Sequence, residues 1–390
     1  MKRIVIVGGG FAGVAAVRAA HGLGLTGKHE VLLVDKKGVF EYLPSLPYLL
    51  SGKKSAKDVS EPLGPFAERH GVVLAKDEVV EVDPTSNTLR LAREGSLDYD
   101  YLVLALGGDV EYFGIKGHEY ALPAYRLDDY LRIKRALSVI RENGEKVVVV
   151  GGGLTGVEVA GEIAEALGYG RVVLIEKLNE LLPLLRNPKA SSMVKELLEK
   201  IGVNVITGIG VEEIRRDGVV LENGDYIGAG VVIWSAGIRA ARIGFRGELP
   251  TKGRGWVLVD RTLRVRGYDN VYAPGDINCF EEDGVYAMKM AEEAMLQAEV
   301  SVVNIARSME GRKLVEHKAI FTTACPKTLA SAGNVGVMVW GEKVTVGKFP
   351  LTVKFVLEKI MMSTVRGTPG AGAFLKAESF MLKTLNKVLM

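Results

Sequence analysis

The sequence predicts an α/β protein with two Rossmann-like dinucleotide-binding domains and a C-terminal amphipathic helical segment that faces a membrane. Three observations carry this prediction: two glycine-rich fingerprints, an acidic residue after each of them, and a basic, apolar C-terminal region. Each fingerprint follows a short apolar run and precedes a helical pattern. That context matters because a strand must deliver the turn and a helix must leave it before backbone N–H groups can meet a pyrophosphate.

The first fingerprint occupies residues 8–13 (GGGFAG) and follows the apolar run 4–7 (IVIV). The next apolar run, 31–34, ends at Asp35. A carboxylate about 20 residues after such glycines accepts hydrogen bonds from a ribose diol. Residues 1–36 therefore form one complete strand–helix–strand unit for a dinucleotide.

The second fingerprint occupies residues 151–156 (GGGLTG), follows 147–150 (VVVV), and precedes Glu176 at the end of 172–175. Two complete units indicate that the chain binds two dinucleotides at once. Electrons can pass from one dinucleotide to the other only if both are bound together. Glu176 favours NADH over NADPH, because a carboxylate at this position repels a 2′-phosphate.

The order of the segments predicts one dinucleotide unit inserted into another. Strands are expected over 71–83 and 88–106 around the turn 84–87, and the part 101–107 is a buried strand. A helix is expected over 126–142. A strand that ends at Gly275-Asp276 and a helix over about 286–308 come later in the chain. The first domain is then discontinuous. The predicted parts are 1–112 and 253–312 for the first domain, 113–252 for the second, and 313–390 for a separate C-terminal region.

Composition removes several classes of function. A net charge of +3 gives no case for nucleic acid, and two cysteines are too few for a disulfide framework, so a reducing cytoplasm is expected. The first residues run directly into a strand, so no signal peptide is expected, and no metal site is predicted. No apolar run reaches the roughly 18–20 residues that span a bilayer. Gln297 is the single glutamine, and this depletion of thermolabile amides indicates a thermophile.

The C-terminal region carries a separate signal. Residues 348–390 contain seven Lys or Arg and two Glu, a local charge of +5 in a chain that nets +3. One predicted helix face holds Phe374, Ala377, Met381, Leu385 and Val388, and the opposite face holds Lys376, Lys383 and Lys387. A basic amphipathic helix of this kind suits an anionic membrane surface. The alternative is a helix that docks on its own domain or on a second subunit.

Several longer segments resemble known flavoproteins with two dinucleotide-binding domains. Residues 150–162 (VGGGLTGVEVAGE), 232–237 (VIWSAG) and 328–333 (TLASAG) resemble the type II NADH:quinone oxidoreductases. Residues 40–48 (FEYLPSLPY), 288–289 and 354–359 resemble the sulfide:quinone oxidoreductases. The likeness covers almost the whole chain, and the cysteines decide between the two groups.

Sulfide enzymes need a redox cysteine pair beside the flavin, because a thiolate must attack and carry sulfur. The resemblance places those cysteines at Thr155 and near Ile320, and neither position is cysteine. Cys279 and Cys325 are expected to be structural thiols. The disulfide reductases of the superfamily carry a close cysteine pair soon after the first fingerprint, whereas residues 37–60 contain none.

The resemblance implies two sets of binding residues. FAD is expected to contact Gly8, Gly10, Phe11, Ala12, Gly13, Asp35, Lys36, Val79, Ala105, Gly107, Gly275, Asp276 and Ala291. NADH is expected to contact Gly151, Gly153, Leu154, Thr155, Gly156, Glu176, Ala236 and Gly237. Asp276 would hold the ribityl chain, and the helix after it would aim its N-terminus at the flavin C2 carbonyl, where negative charge develops on reduction.

Three residues are expected to take part in catalysis. Glu158 resembles a carboxylate near the nicotinamide, or else satisfies the N-terminal dipole of its helix. Lys289 adds a cation near the flavin, or else is a solvated helix lysine. Relatives show Ala-Gln-x-Ala-x-Gln after the Gly-Asp, whereas residues 291–297 read AEEAMLQ. Glu292 thus replaces the first glutamine with a group that exchanges protons.

The function implied is that of a non-proton-pumping, FAD-dependent NADH dehydrogenase. A hydride passes from NADH C4 to flavin N5, and two electrons then pass to a membrane quinone. The protein is expected as a homodimer on the cytoplasmic face of the membrane, peripheral to it and in a respiratory chain. The alternatives are a sulfide:quinone oxidoreductase relative without its cysteine pair, a soluble NADH oxidase, or a flavin redox sensor.

Overall fold

A computed structural model describes residues 1–369 of the chain. The amphipathic helix predicted over 374–388 lies outside the described residues. The first quarter of the chain alternates strands with four helices. Its elements are β1 (Arg3–Val7), α1 (Phe11–Gly22), β2 (Glu30–Val34), β3 (Val39–Glu41), α2 (Tyr48–Ser51), α3 (Ala56–Val59), β4 (Ser60–Pro62), α4 (Leu63–Arg69), β5 (Val73–Ala75), β6 (Val79–Asp83), β7 (Thr88–Leu91), β8 (Ser96–Asp98), β9 (Tyr101–Leu104) and β10 (Gly108–Val110).

The next part repeats the strand–helix alternation around the second fingerprint. Its elements are β11 (Leu122–Pro123), α5 (Leu127–Asn143), β12 (Val147–Val150), α6 (Leu154–Leu167), β13 (Val172–Glu176), α7 (Pro188–Lys200), β14 (Val203–Thr207), β15 (Val211–Arg215), β16 (Gly218–Leu221), β17 (Tyr226–Gly228), β18 (Val231–Trp234), β19 (Ile238–Ala240), β20 (Gly244–Phe245) and β21 (Thr251–Lys252).

The remainder returns to the first sheet and then adds a small antiparallel sheet with one long helix. Its elements are β22 (Trp256–Leu258), β23 (Val271–Tyr272), β24 (Asn278–Cys279), β25 (Glu281–Glu282), β26 (Val285–Tyr286), α8 (Ala291–Met309), β27 (Lys327–Ala332), β28 (Val335–Trp340), β29 (Lys343–Gly347) and α9 (Lys348–Arg366).

Two five-stranded parallel sheets form the centres of the two dinucleotide domains. The strand orders are β23-β9-β1-β2-β5 and β11-β18-β12-β13-β14. Each fingerprint strand, β1 or β12, lies in the middle of its sheet. The strand that follows it in the chain pairs on one side, and a strand from much later in the chain pairs on the other side. This is the topological switch point at whose carboxyl edge open α/β sheets bind ligands. The predicted α/β class with two parallel-sheet domains is confirmed.

The two domains are joined by short strand pairs rather than by one linker. β10 pairs with β19 in antiparallel fashion, and β20 pairs with β6. Residues 238–245 therefore pair with strands of the first domain. β23 then pairs with β9 in parallel, and α8 packs against α1. The chain thus leaves the first domain and returns to complete it.

Two predicted elements differ in their limits from the observed ones. The strand predicted over 71–83 is interrupted at Asp77, whose carboxylate accepts backbone N–H bonds from Glu78, Arg93 and Glu94. The helix predicted from 286 begins at Ala291, because residues 281–286 form the hairpin of β25 and β26. The helix predicted over 126–142 is confirmed as α5.

The C-terminal region binds both domains together. β27, β28 and β29 form an antiparallel sheet that packs on α6, where a Cβ on Gly161 would lie 2.4 Å from the backbone nitrogen of Gly333. α9 covers β27 and β28 and also contacts α4 of the first domain. Its buried side includes Lys354 and Glu358, whereas Phe349 is 64% exposed and Val356 50%. None of the helices within residues 1–369 combines the length and the apolar character that a membrane span needs.

Candidate active site

One cavity of about 830 Å³ runs between the two domains and under the C-terminal sheet. Its walls come from the first fingerprint, from the start of α6 in the second domain, and from β27, β28 and α9. Residues separated by more than 300 positions therefore meet around a single space. A cavity of this size, at the carboxyl edge of the first sheet, is large enough for an extended cofactor and a second ligand.

The first fingerprint forms a tight turn with one open position. Gly8 has φ +104°, and a Cβ on it would lie 2.4 Å from the carbonyl oxygen of Ala105. A Cβ on Gly13 would lie 1.8 Å from the carbonyl oxygen of Gly8, so strand and helix touch here. Gly10 is different. Apart from its chain neighbours and the backbone of α1, no heavy atom of the described residues lies within 4 Å of the place where a Cβ would stand. This opening fits the close approach of a pyrophosphate at the N-terminus of α1.

Asp35 follows β2 and lines the cavity beside the first fingerprint. Its Oδ2 accepts the N–H of Gly9 at 2.8 Å, and its Oδ1 accepts those of Lys37 at 2.9 Å and Gly38 at 2.7 Å. An ionised carboxylate offers about four acceptor positions, so one remains for a ribose hydroxyl. Most of the other predicted FAD residues also line the cavity; these are Gly8, Gly10, Phe11, Ala12, Lys36, Val79, Ala105, Gly107, Asp276 and Ala291. Gly13 and Gly275 lie behind this wall.

The second fingerprint repeats the same geometry. Gly151 has φ +107°, a Cβ on Gly156 would lie 1.7 Å from the carbonyl oxygen of Gly151, and Gly153 has the same open Cβ position among the described residues. Glu176 Oε2 accepts the N–H of Gly152 at 2.7 Å, as Asp35 does in the first domain. Leu154, Thr155 and Gly237 line the cavity. Gly151, Gly153, Gly156, Glu176 and Ala236 lie beyond it, along the carboxyl edge of the second sheet.

Asp276 and Lys289 face each other across the cavity wall. Burial raises the pKa of Asp276, while the Lys289 ammonium opposes that rise. Burial lowers the pKa of Lys289, against the attraction of Asp276. Lys289 donates to the carbonyl of Asn278 and lies 4.7 Å from the centre of the Trp256 ring. Lys289 precedes α8 and is partly buried with its ammonium bonded to a backbone carbonyl, so the interpretation as a solvated helix lysine does not fit its position.

The start of α8 lies at the cavity. Of its two acidic residues, Glu292 lines the cavity and Glu293 does not. Met290, Ala291 and Glu292 line the cavity, and burial raises the pKa of Glu292. Glu293 points inward, where it accepts from His317 Nε2 at 2.6 Å and from the N–H groups of Ile320 and Phe321 at 3.1 Å. The sequence pattern gives no sign of this pair, because the two residues are 24 positions apart.

Gln297 does not line the cavity, and its side chain is instead bonded to three other residues. Its Oε1 accepts the N–H of Gly275 at 2.8 Å and Asn278 Nδ2 at 2.6 Å, and its Nε2 donates to Glu293 at 3.2 Å. The residue is buried in the helix interface. Gln297 lies one position beyond the second glutamine of the Ala-Gln-x-Ala-x-Gln pattern in relatives. It supports the turn that carries Asp276.

Glu158 is part of a buried polar cluster and also lines the cavity. It is ion-paired with Lys354 of α9 and accepts the backbone N–H of Ser331 at 3.0 Å. Burial raises its pKa, although Lys354 opposes this. The Tyr48 hydroxyl donates to Ser331 Oγ at 3.0 Å. A buried ion pair with α9 replaces the expected contact with the helix dipole. Lys354 and Glu358 are four residues apart in α9 and both are buried, so they mark the inward face of that helix.

The end of the cavity under the C-terminal sheet is mostly apolar. Its lining residues are Leu43, Pro44, Pro47, Phe321, Lys327, Thr328, Leu329, Met338, Trp340, Val353 and Leu357. Lys327 is buried there, its Nζ donates to the carbonyl of Ile320 at 2.8 Å, and burial lowers its pKa. An apolar wall with a few polar groups suits a flat carbonyl compound with a hydrocarbon tail.

The cysteines are not placed for sulfur chemistry at this cavity. Thr155 lines it, where sulfide enzymes are expected to carry a thiol. Among the described residues, Cys279 and Cys325 are both unbridged, and neither lines the cavity. The described walls therefore offer no thiolate that could carry sulfur.

The paired sheets, the two open glycine positions and the shared cavity define a flavoprotein that binds FAD in one domain and a nicotinamide dinucleotide in the other. The family model described as pyridine nucleotide-disulphide oxidoreductase matches residues 2–298. The chain belongs to this family.

Three known proteins show which flavoproteins the chain resembles. A type II NADH:quinone oxidoreductase of Staphylococcus aureus is 27% identical over 385 residues, covering 92% of this chain and 94% of the relative. Demethylphylloquinone reductase NdbB of Synechocystis sp. is 28% identical over 329 residues, covering 80% and 81%. The solved sulfide:quinone oxidoreductase of Aquifex aeolicus shares the fold, with a TM-score of 0.81 at 18% identity and coverage of 94% and 92%. The predicted resemblance to type II NADH:quinone oxidoreductases is confirmed.

Proposed function

We propose that the protein is an FAD-dependent NADH:quinone oxidoreductase. One observation carries the proposal: a single cavity joins the first fingerprint, the start of the second domain's fingerprint helix and an apolar end under the C-terminal sheet. A donor and an acceptor can therefore reach one cofactor from different walls. The relatives that match nearly the whole chain are named for this reaction.

The residues of the two fingerprints supply binding and orientation. When bound, FAD takes a hydride from NADH and gives two electrons to a quinone. Gly10 and Asp35 hold the pyrophosphate and adenosine ribose of FAD, and Asp276 its ribityl chain. Gly153 and Glu176 hold the corresponding parts of NADH. Orientation of this kind is the protein's main contribution, because the reactive atoms need to lie within about 3–3.5 Å.

Reduction of a quinone by NADH takes up one proton, because the transferred hydride supplies the other hydrogen, and either of two carboxyl groups in the cavity wall can supply that proton. Glu292 lies at the start of α8, and its burial favours the neutral acid. Glu158 shares a buried site with Lys354. An acid whose pKa is raised by burial keeps its proton to a higher pH than an ordinary glutamic acid, which suits it to donate that proton. We assign the Glu292 carboxyl group, which has no ion-pair partner among the described residues, as the proton donor.

The exposed side of α9 supports attachment to a membrane. Phe349 and Val356 are half-exposed or more, and Lys348 and Lys359 are exposed beside them. Apolar groups flanked by lysines bind anionic bilayers, at about 1 kcal/mol per well-placed cation. Together with the basic tail, this face would hold the protein at the cytoplasmic surface, where a respiratory quinone pool is reached. A homodimer through the same region is the competing role for this face.

Stopped-flow spectroscopy tests the reaction. NADH should bleach the flavin absorbance within the turnover time, and a soluble quinone analogue should restore it. Sulfide should do neither, because the described walls of the cavity carry no thiol. Reduction by sulfide at a rate equal to that by NADH would overturn the proposed donor. Reoxidation by oxygen as fast as by quinone would instead indicate an oxidase.

Co-sedimentation with anionic liposomes tests the membrane role. The double change Phe349→Ser and Val356→Ser and a chain truncated after Gly372 should each weaken binding, while NADH still reduces the flavin. Leu184→Ser is the matched control, because Leu184 is 73% exposed in the second domain. Unchanged binding in both altered proteins would leave this region as a packing or dimer element.

A further inference from the structure

The turn that leads into the second domain has Phe113 at a position with a positive φ angle. The N–H of Ile115 donates to the carbonyl of Tyr112 at 3.0 Å, which closes a four-residue turn. Its two central residues, Phe113 and Gly114, have φ +53° and +71°. Turns with two positive φ angles strongly favour Asn, Asp or Gly at the first central position. A bulky aromatic residue there is conformationally unfavourable, and such outliers cluster at ligand sites.

The Phe113 ring lies on the edge of the cavity. A Cβ on Gly237 would come within 2.5 Å of the ring, so the ring covers that glycine directly. Gly237 lines the cavity and follows β18, beside the second fingerprint strand β12. Phe113 is nevertheless 54% exposed. The ring therefore stands between solvent and the part of the cavity wall that Gly237 forms.

Arg254 stands between two aromatic rings at the same edge. Its guanidinium carbon lies 5.4 Å from the centre of the Phe113 ring and 5.9 Å from that of Trp256. Its Nη1 is 3.4 Å from the Cβ position of Gly237. The Lys289 ammonium lies over the same Trp256 ring, and Lys289 lines the cavity, as Asp276 does. This stack reaches from the exposed rim to the cavity wall.

We propose that Phe113 and Arg254 form an entrance clamp for the nicotinamide dinucleotide. The proposal rests on the proposed function, since it concerns how NADH enters. The guanidinium, held between two rings, has lost rotamer freedom before it meets an anion. It adds a cation to the diphosphate that Gly153 admits at the N-terminus of α6, and the Phe113 ring closes the solvent side of the nicotinamide position. The proposal explains why a bulky residue occupies a backbone conformation that suits glycine.

The guanidinium is tested with Arg254→Met, which keeps a long apolar side chain. The Kd of NAD⁺ for the oxidised holoenzyme should rise at least about tenfold, as expected for a lost charge-assisted hydrogen bond. The kcat/KM for NADH should fall by a similar factor. The kcat/KM for N-benzyl-1,4-dihydronicotinamide, a hydride donor without phosphates, should stay within about twofold of wild type.

Arg216→Met is the matched control, because Arg216 is also stacked on an aromatic ring, at 5.4 Å from Tyr120, away from the cavity. It should change none of these values. An equal loss for NADH and N-benzyl-1,4-dihydronicotinamide in Arg254→Met would overturn the clamp, and so would no loss for either. If wild-type protein accepts hydride from the benzyl compound but not from NADH, the proposed donor itself fails.

The ring is tested with Phe113→Gly, which removes the unfavourable backbone conformation together with the ring. The unfolding temperature should not fall, whereas the KM for NADH should rise several-fold. Asp283→Gly is the control, because Asp283 has φ +52° in an exposed hairpin and does not line the cavity. It should leave KM unchanged. A Phe113→Gly protein with wild-type KM would overturn the role of the ring, even if its unfolding temperature rises.

Discussion

The backbone N–H of Gly275 donates to Gln297 Oε1 at 2.8 Å, and this bond ties the end of one strand to the second turn of α8. Gly275 has φ +84°, a conformation that turns the chain so that Asp276 faces the cavity. The same Gln297 oxygen also accepts from Asn278. The position of Asp276 therefore depends on a side chain 21 residues further along the chain.

Gln297→Met should weaken FAD binding, because it leaves the backbone N–H of Gly275 and one N–H of the Asn278 side-chain amide without their acceptor. Unsatisfied buried donors cost about 1–3 kcal/mol each, so the Kd of FAD should rise at least about tenfold. Fluorescence titration of deflavinated protein measures it. Ser301→Ala, one turn further on, is the control and should keep the wild-type Kd. Equal Kd values in both variants would show that Gln297 does not position Asp276.

Glu292→Gln should change how quinone reduction depends on pH. Burial raises the pKa of Glu292, so the acid form persists to a higher pH than in an ordinary glutamic acid. Donation from it should weaken as the pH rises through that raised pKa. Reoxidation by a quinone analogue should therefore slow with rising pH in wild type. In the variant it should be roughly 100-fold slower at low pH and flat. NADH reduction serves as the internal control, and a pH profile identical to wild type would exclude this role.

Gly153→Ala should separate NADH binding from folding. The added Cβ meets open space in the protein, so the unfolding temperature should stay near that of wild type. It would nevertheless block a pyrophosphate, and the KM for NADH should rise at least about tenfold while FAD remains bound. Gly64→Ala, whose Cβ also meets open space among the described residues but which lies in α4 of the first domain and outside the cavity lining, should not affect KM. A normal KM in Gly153→Ala would move the dinucleotide elsewhere.

NADH should be preferred to NADPH by at least about tenfold in kcat/KM, because Glu176 repels a 2′-phosphate at a cost of about 1.4 kcal/mol or more. The neighbouring Lys177 is held at 2.6 Å by Glu222 and is not expected to cancel this repulsion. Steady-state rates with both nucleotides measure the ratio. A ratio near one would mean that a cation compensates the carboxylate.

Replacement of both cysteines by serine should leave NADH:quinone activity within a few-fold of wild type. Cys279 and Cys325 are unbridged and lie outside the cavity lining. A loss of more than about 100-fold in a folded protein would correspond to nearly 3 kcal/mol in the transition state and would indicate a catalytic thiol. Circular dichroism of the double variant distinguishes that result from unfolding.

Local patterns were sufficient for the parts of the fold that depend on neighbouring residues. Each fingerprint, its strand and its acidic residue lie within about 30 positions, so Gly8, Asp35, Gly151 and Glu176 could be assigned to turns and strand ends. The start of α8 could not, because residues 281–286 form a hairpin that the apolar pattern does not distinguish from a helix.

The wall of the cavity was harder to predict, because it is assembled from distant segments. Lys354 was grouped with the basic tail, yet it lies in the interior against Glu158, 196 positions earlier. His317 carried no recognisable motif, and its role follows only from its bond to Glu293. Charge and periodicity describe one helix at a time and cannot identify the partner that a buried charge meets.

The discontinuous first domain has a consequence for synthesis of the chain. α1 packs against α8, and β23 completes the sheet that β1 begins, so the first hundred residues cannot bury their own core alone. The intervening domain has a complete sheet once β18 is made and can fold while the ribosome is still adding α8. Domains generally fold as units during translation. We therefore expect the inserted domain to fold first, with FAD captured only after about residue 309 has emerged.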